Sequence, residues 1–200
     1  MVHMETKILL ADDHTIIREG MRSLFENRRD MKVVGEASSG IEIHQKVPIL
    51  KPDFIMMDIS MPDLNGMAAT RLIKGEWPNI HIIGLSVYHQ RQYISGILEA
   101  GAEGYLVKNN AFKEVVQAIQ IVQKGYIALG RQARRVVFKD FARILAKDKT
   151  KMTLSQEEQA VVQYFDSNKS ISQLADELNI DENHLESLKT RLIRNWVGCC

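Results

Sequence analysis

Phe54-Ile55-Met56-Met57-Asp58 is the stretch on which the fold turns. Four apolar residues in succession are too few for a helix. They also lack the polar alternation of a strand with one wet face, so they read as a strand buried on both sides. Working outward, four more runs have the same character: Ile8-Leu9-Leu10-Ala11, Met31 to Val34, Ile80 to Leu85, and Tyr105-Leu106-Val107. Between them the apolar residues fall at helical spacing: Ile17, Met21, Leu24; Ile43, Val47, Leu50; Ala69, Leu72, Ile73; Ile94, Ile97, Leu98; and Phe112, Val115, Val116, Ile119. Five strands alternating with five helices on short connections predict right-handed crossovers and an α/β fold built on a five-stranded parallel sheet. Pro48 is expected to kink or shorten the second helix.

Ligands of an open parallel sheet bind beyond the carboxyl ends of its strands. Here those ends carry Asp12-Asp13, Asp58, Ser86 and Lys108. Three carboxylates brought together repel one another unless a hard cation holds them, and oxygen ligands in an incomplete shell suit Mg²⁺. Lys108 and Ser86 then supply an ammonium and a hydroxyl for the oxygens of a transferred phosphoryl group.

Composition narrows the function classes. Apolar residues at 45% and charged residues at 26% describe a globular chain rather than a disordered one. A net charge of +1 excludes a wholesale polycation. No apolar run nears the roughly 20 residues of a membrane helix, and no secretory signal is visible in Met1 to Lys7, so none is expected. The two cysteines, Cys199 and Cys200, are adjacent and lack the spaced partners of a zinc site or a disulfide framework, so a cytoplasmic location is expected. Charge is unevenly spread. Residues 1–130 carry 14 basic and 15 acidic side chains, residues 131–151 carry 8 and 2, and residues 152–200 carry 4 and 8. The shifts predict one domain over 1–130, a basic linker over 131–151 and a second domain over 152–200.

In that last segment Ser155-Gln156-Glu157-Glu158 reads as a capping box opening a helix with Val161, Val162 and Phe165 inward. A short helix from Ser172 to Leu178 should close at Asn179. A longer one should start after Asp181, with Leu185, Leu188, Leu192 and Trp196 on one stripe. This is a helix-turn-helix arrangement.

Ala11-Asp12-Asp13-His14, Met57-Asp58-Ile59-Ser60-Met61-Pro62-Asp63-Leu64-Asn65-Gly66, Leu85-Ser86 and Gly101 to Lys108 together resemble the receiver domain of two-component response regulators, in the NarL/FixJ type that couples a receiver to a LuxR-type helix-turn-helix. The resemblance implies a flavodoxin-like receiver in which Asp58 is the phosphoacceptor. Asp13, Asp58 and the Ser60 carbonyl would ligate Mg²⁺ with Asp12 assisting, Lys108 would hold the phosphate, and Ser86 and Tyr105 would be the switch residues. His14 is given a loop-capping role. The implied partners are a sensor histidine kinase, DNA and, on phosphorylation, a second copy of the chain. The implied chemistry is limited to the receiver's own phosphorylation and dephosphorylation, so no enzyme in the wider sense is expected.

Haloacid-dehalogenase-type phosphatases also phosphorylate an Asp at a strand end, but they carry a second Asp two residues on, where this chain has Ser60. No phosphate-loop or dinucleotide fingerprint occurs either.

Residues 152–196 resemble the LuxR-type domain in their apolar skeleton: Leu154-Ser155, Lys169-Ser170, Leu174-Ala175-Asp176, Leu178-Asn179-Ile180, Leu185 and Leu192. They depart from it in the polar readers. His184-Leu185-Glu186 stands where the family commonly has Thr-Val-Lys, a charge reversal at Glu186, and the sequence stops at Cys200 where the family usually adds a dimerising helix. The face opposite the leucine stripe offers Asn183, Ser187, Thr190, Arg191 and Arg194 as DNA contacts. The domain's excess of acid opposes phosphate binding and the basic linker offsets it. The expectation is therefore a response regulator that controls transcription through DNA. The competing expectation is a degenerate output domain that acts through protein contacts.

Overall fold

The computed structural model describes residues 5–147, 154–164 and 171–198. Phe165, Lys169-Ser170, the last part of the basic linker and Cys199-Cys200 lie outside the described residues. The first part of the chain runs β1 (Thr6–Ala11), α1 (Thr15–Glu26), β2 (Met31–Ala37), α2 (Gly40–Leu50), β3 (Phe54–Asp58), α3 (Gly66–Glu76), β4 (His81–Ser86), α4 (Arg91–Glu99), β5 (Gly104–Val107), α5 (Lys108–Gln123) and β6 (Ala128–Leu129). The strands pair in parallel in the order β2-β1-β3-β4-β5-β6. This is a doubly wound sheet of flavodoxin type, whose order reverses between β1 and β3.

The sheet has six strands where the sequence predicts five. Ala128 donates its N–H to the Glu103 carbonyl and Gly130 to that of Tyr105, each at 2.9 Å, which adds β6 beside β5. Two residues are too short to produce an apolar run, so pairing alone defines this strand.

Alternation along the buried strands divides the core. Leu9, Ala11, Ile55, Met57, Ile82, Tyr105 and Val107 pack on the α2–α4 side. Ile8, Leu10, Phe54, Met56, Ile83, Leu85 and Leu106 pack against α1 and α5. Ser39 and Asn65 cap α2 and α3 through side-chain oxygens that accept the Glu42 and Ala68 N–H groups. Pro48 does not end α2, which continues to Leu50 before Lys51 turns left-handed at φ 48°. The proline sits in the last turn, where it forfeits only one intrahelical bond, and Lys51 recovers a bond to the Val47 carbonyl at 2.9 Å.

Four helices follow: α6 (Arg131–Lys147), α7 (Gln156–Tyr164), α8 (Ile171–Leu178) and α9 (Glu182–Gly198). The capping box at α7 forms, with the Ser155 N–H on Glu158 Oε2 at 2.8 Å and the Glu158 N–H on Ser155 Oγ at 3.1 Å. Asn179 closes α8 at φ 52°, and Asp181 caps α9 by accepting the His184 N–H at 2.9 Å. Helix α6 lays Ala133, Val137, Phe138 and Phe141 into the α4–β5 side of the sheet. Val161, Val162, Leu174, Leu185, Leu188, Leu192 and Trp196 extend the same apolar core, so it runs unbroken from the sheet into the C-terminal helices.

Candidate functional site

The site lies where the strand order reverses. β1 and β3 are neighbours there, so Asp12 and Asp58 leave the sheet side by side. Asp58 ends β3 and is 1% exposed; Asp12 follows β1 and is 2% exposed. Lys108, the first residue of α5, reaches across, with its Nζ 2.7 Å from Asp12 Oδ2 and 2.9 Å from Asp58 Oδ2. Asp58 Oδ1 accepts the Ser60 N–H at 3.1 Å, and Asp12 Oδ1 accepts the His14 N–H at 2.9 Å.

Burial raises the pKa of the Asp58 carboxyl, and the nearby Asp12 charge adds to the rise. The Lys108 ammonium and the Ser60 N–H oppose it without cancelling it. Burial alone would depress the Lys108 ammonium, but hydrogen bonding and charge from Asp12 and Asp58 outweigh it and push its pKa up.

The loop after Asp58 folds back tightly. A Cβ at Gly66 would lie 2.1 Å from the Asp58 carbonyl oxygen, so only glycine lets α3 begin against the end of β3. The Gly66 N–H on the Ile59 carbonyl at 3.1 Å fixes that return.

Asp12, Asp13, His14 and Asp58 place one ligand atom each within 4.8 Å of one another, an acidic pocket compatible with a divalent cation. Two observations bear on the fit. Asp12 Oδ2 and Asp58 Oδ2 are buried and share the single Lys108 ammonium, with no further polar partner among the described residues. The carboxylate donors are hard oxygens, with Asp13 reaching the rim at the exposed side. The residues present fit such an ion. His14 stands at the N-cap of α1 without a side-chain cap bond, and its Nδ1 lies 2.7 Å from Asp13 Oδ1 and 3.2 Å from Asp12 Oδ1, within the β1–α1 loop.

Ser86 ends β4, fully buried, with its Oγ accepting the Tyr88 N–H at 3.1 Å. Tyr105 on β5 is fully buried, and its hydroxyl donates to the Tyr88 carbonyl at 2.7 Å. Burial pushes the Tyr105 phenol up to about 12. Both side chains therefore hold the loop between β4 and α4.

The residues expected to touch DNA are divided by the fold. Asn183, Ser187, Arg191 and Arg194 are exposed on α9, and Arg191 Nε pairs with Glu158 Oε1 at 2.8 Å. Thr190 is not on the open face: it is 5% exposed, and its Oγ1 accepts the Ile127 N–H at 2.9 Å, against the receiver. Glu186 is likewise buried, with both oxygens on Lys189 Nζ at 2.7 and 2.8 Å, so its charge is not presented to solvent. Helix α9 is buried on two sides, along the leucine stripe and along Glu186, Lys189, Thr190 and Ile193, where Thr190 meets Ile127 of the receiver and Glu186 and Lys189 lie near Arg134 of α6.

A polar joint that sequence reasoning missed secures the far end of α9. Asp140 Oδ2 on α6 accepts the Trp196 indole N–H at 3.0 Å and pairs with Arg91 Nη1 of α4 at 2.7 Å. The Arg91 guanidinium lies 5.4 Å from the centre of the Trp196 ring. The available signal was slight: Asp140 is one of two acids among the ten charged residues of 131–151.

Residues 8–120 match the response regulator receiver domain. The chain is 30% identical to the oxygen regulatory protein NreC of Staphylococcus aureus (strain JH9), over 94% of this chain and 89% of that protein. A LuxR-family two-component response regulator from Aurantimonas sp. SI85-9A1 superposes with a TM-score of 0.66 at 31% identity, over 70% of this chain and 99% of that one. The Salmonella typhimurium RcsB response regulator, in a structure concerned with conformational dynamism for DNA interaction, gives 0.61 at 25% identity, over 97% and 92%. The chain therefore belongs to the two-component response regulators, in the group that joins a receiver to a LuxR-type C-terminal domain.

Proposed function

We propose that Asp58 is the phosphoacceptor of this response regulator and that its phosphorylation by a sensor histidine kinase controls binding of the C-terminal helices to DNA. The observation that carries the reading is a buried carboxylate at the end of β3 with the Lys108 ammonium 2.9 Å away and Asp12 alongside. An Asp58 carboxylate oxygen attacks the phosphorus of a phosphohistidine. The new O–P bond forms as the N–P bond breaks, and the imidazole leaves with a proton from water. Lys108 is placed to balance charge on the incoming phosphoryl oxygens, exchanging part of its pairing with Asp12 and Asp58 for them. Asp13, Asp58 and the Ser60 carbonyl, with Asp12 assisting, would hold a divalent ion, and their hard oxygen donors suit Mg²⁺. When bound it neutralises the carboxylates and the phosphoryl oxygens.

Ser86 and Tyr105 read the change. Both hold the β4–α4 loop through Tyr88, so a phosphoryl group that draws the Ser86 hydroxyl away loosens that loop next to Arg91 and the joint with Asp140 and Trp196. The output reading draws on RcsB, a relative whose structure addresses DNA interaction. Asn183, Ser187, Arg191 and Arg194 are the proposed DNA contacts, with a homodimer as the binding form.

Incubation with acetyl phosphate and Mg²⁺ should add one phosphate by intact-mass measurement, and Asp58→Asn should abolish it. Equal labelling of that variant overturns the acceptor. Selection from a randomised duplex pool should then enrich a sequence with the phosphorylated chain; no enrichment removes the DNA output.

A further inference from the structure

Helix α6 is amphipathic in an unusual way. From 131 to 144 its exposed residues are Arg131, Gln132, Arg135, Lys139, Ala142 and Arg143. Four are cations and none is an acid. Arg131, Arg135, Lys139 and Arg143 recur every fourth residue, an inclined stripe that advances about 18 Å along the helix while winding about 120° around it. Asp140, the carboxylate within this stretch, faces away and is spent on Arg91 and Trp196. Among the described residues, Arg135, Lys139 and Arg143 have no ion-pair partner. Elsewhere, Arg18 and Arg22 share Glu36, Arg28 pairs with Asp30, Lys46 with Glu42 and Lys74 with Glu103, while cations such as Arg29, Arg71 and Lys124 stand singly rather than in a row. Like charges four residues apart on a helix repel, so this row works against the helix that carries it unless an external anion is its partner.

We propose that this row is a binding face for the phosphate backbone of duplex DNA, and that it is available while α9 is still docked on the receiver. Spacing and shape favour this partner. About 18 Å of duplex axis presents roughly five phosphates per strand, a spaced array of anions that a cation row winding gradually about α6 can meet. An anionic bilayer is the less suitable partner, because the apolar face of α6 (Ala133, Val137, Phe138, Phe141) is already buried and nothing apolar is left to enter lipid. The face needs no rearrangement, whereas α9 keeps Thr190 against the receiver and Glu186 buried on Lys189. The unphosphorylated protein therefore holds DNA without reading its sequence, and release of α9 adds the reading to a complex already formed.

The inference rests on DNA being the partner of this chain, and its test separates the two. Fluorescence anisotropy with a short random-sequence duplex should show the unphosphorylated full chain binding at low salt. The slope of log affinity against log salt should be about −3. Joint substitution of Arg135→Gln, Lys139→Gln and Arg143→Gln should flatten the slope by about 2 to 3 and weaken low-salt affinity at least about tenfold. Joint substitution of the exposed Arg29→Gln, Arg71→Gln and Lys124→Gln, which removes the same charge from other faces, should change affinity less than about threefold. Equal losses in the two triple variants, or no binding by the unphosphorylated chain, overturn the α6 face. Tighter capture by vesicles of anionic lipid than by duplex also overturns it. If the phosphorylated chain still selects a sequence in those cases, the DNA output stands without α6; if it selects none, both fall.

Discussion

At the residue scale, Asp58 holds two tendencies in balance. Its folded pKa lies above the ordinary 3.8, with burial as the main cause. A carboxyl whose folded pKa is raised binds its proton more tightly in the native state. It favours the fold below the unfolded pKa and costs stability as pH rises through the folded one. Asp58→Asn should therefore stabilise the unphosphorylated chain at neutral pH, by about 2–4 °C in Tm if the gain is about 1 kcal/mol. The gain should shrink as pH falls toward 3.8, and a pH series of thermal melts checks both the sign and the window. A Tm that drops at neutral pH would mean that attraction to Lys108 outweighs the cost of burial. Gly66 makes the opposite point, since its constraint is steric. Gly66→Ala meets the Asp58 carbonyl, which no side-chain rotation relieves. It should cost about 2 kcal/mol in urea unfolding and slow acetyl-phosphate labelling, because the end of β3 must move.

At the element scale, the buried strands were readable because each shows a contiguous apolar run, and the strand-end carboxylates followed from them directly. Strand β6 was not readable: Ala128 and Leu129 carry no pattern, and only pairing with β5 makes them a strand. Helix α9 was half readable. Leu185, Leu188, Leu192 and Trp196 announce one buried face, but a helix that docks on a second body buries another, and Glu186, Lys189 and Thr190 look like solvent residues until Arg134 of α6 and Ile127 of the receiver are placed beside them. Glu186 thus read as an adverse charge on a DNA face, whereas it is the counter-charge of Lys189 in the domain contact. Burial and the charge of Arg134 lower the Lys189 pKa, and Glu186 opposes both. Glu186→Lys should set a new cation against Lys189 and Arg134 and destabilise the docked form by about 3–5 kcal/mol, as loss of one partner from a buried pair does. In a Trp77→Phe background, Trp196 emission should shift to the red as the indole meets water. An unshifted spectrum would leave α9 docked and remove Glu186 from the contact.

At the scale of the whole molecule, the core does not stop at the boundary that charge composition suggests near residue 131, because Phe138 and Phe141 join it to Leu185 and Trp196. Calorimetry of the unphosphorylated chain should give one cooperative transition with matching calorimetric and van't Hoff enthalpies. Two resolved transitions would show that the receiver and the C-terminal helices unfold independently. The contact between Thr190 and Ile127 has a different consequence. β6 is the border of the sheet, and the N–H of Ile127, just before it, is covered by the Thr190 hydroxyl. When α9 leaves, that border loses its cover and presents an unpaired main-chain donor beside a short strand, the kind of seam along which another polypeptide can add itself. Release of the output helix would thus also expose a main-chain donor at the β6 border, where an added strand could pair.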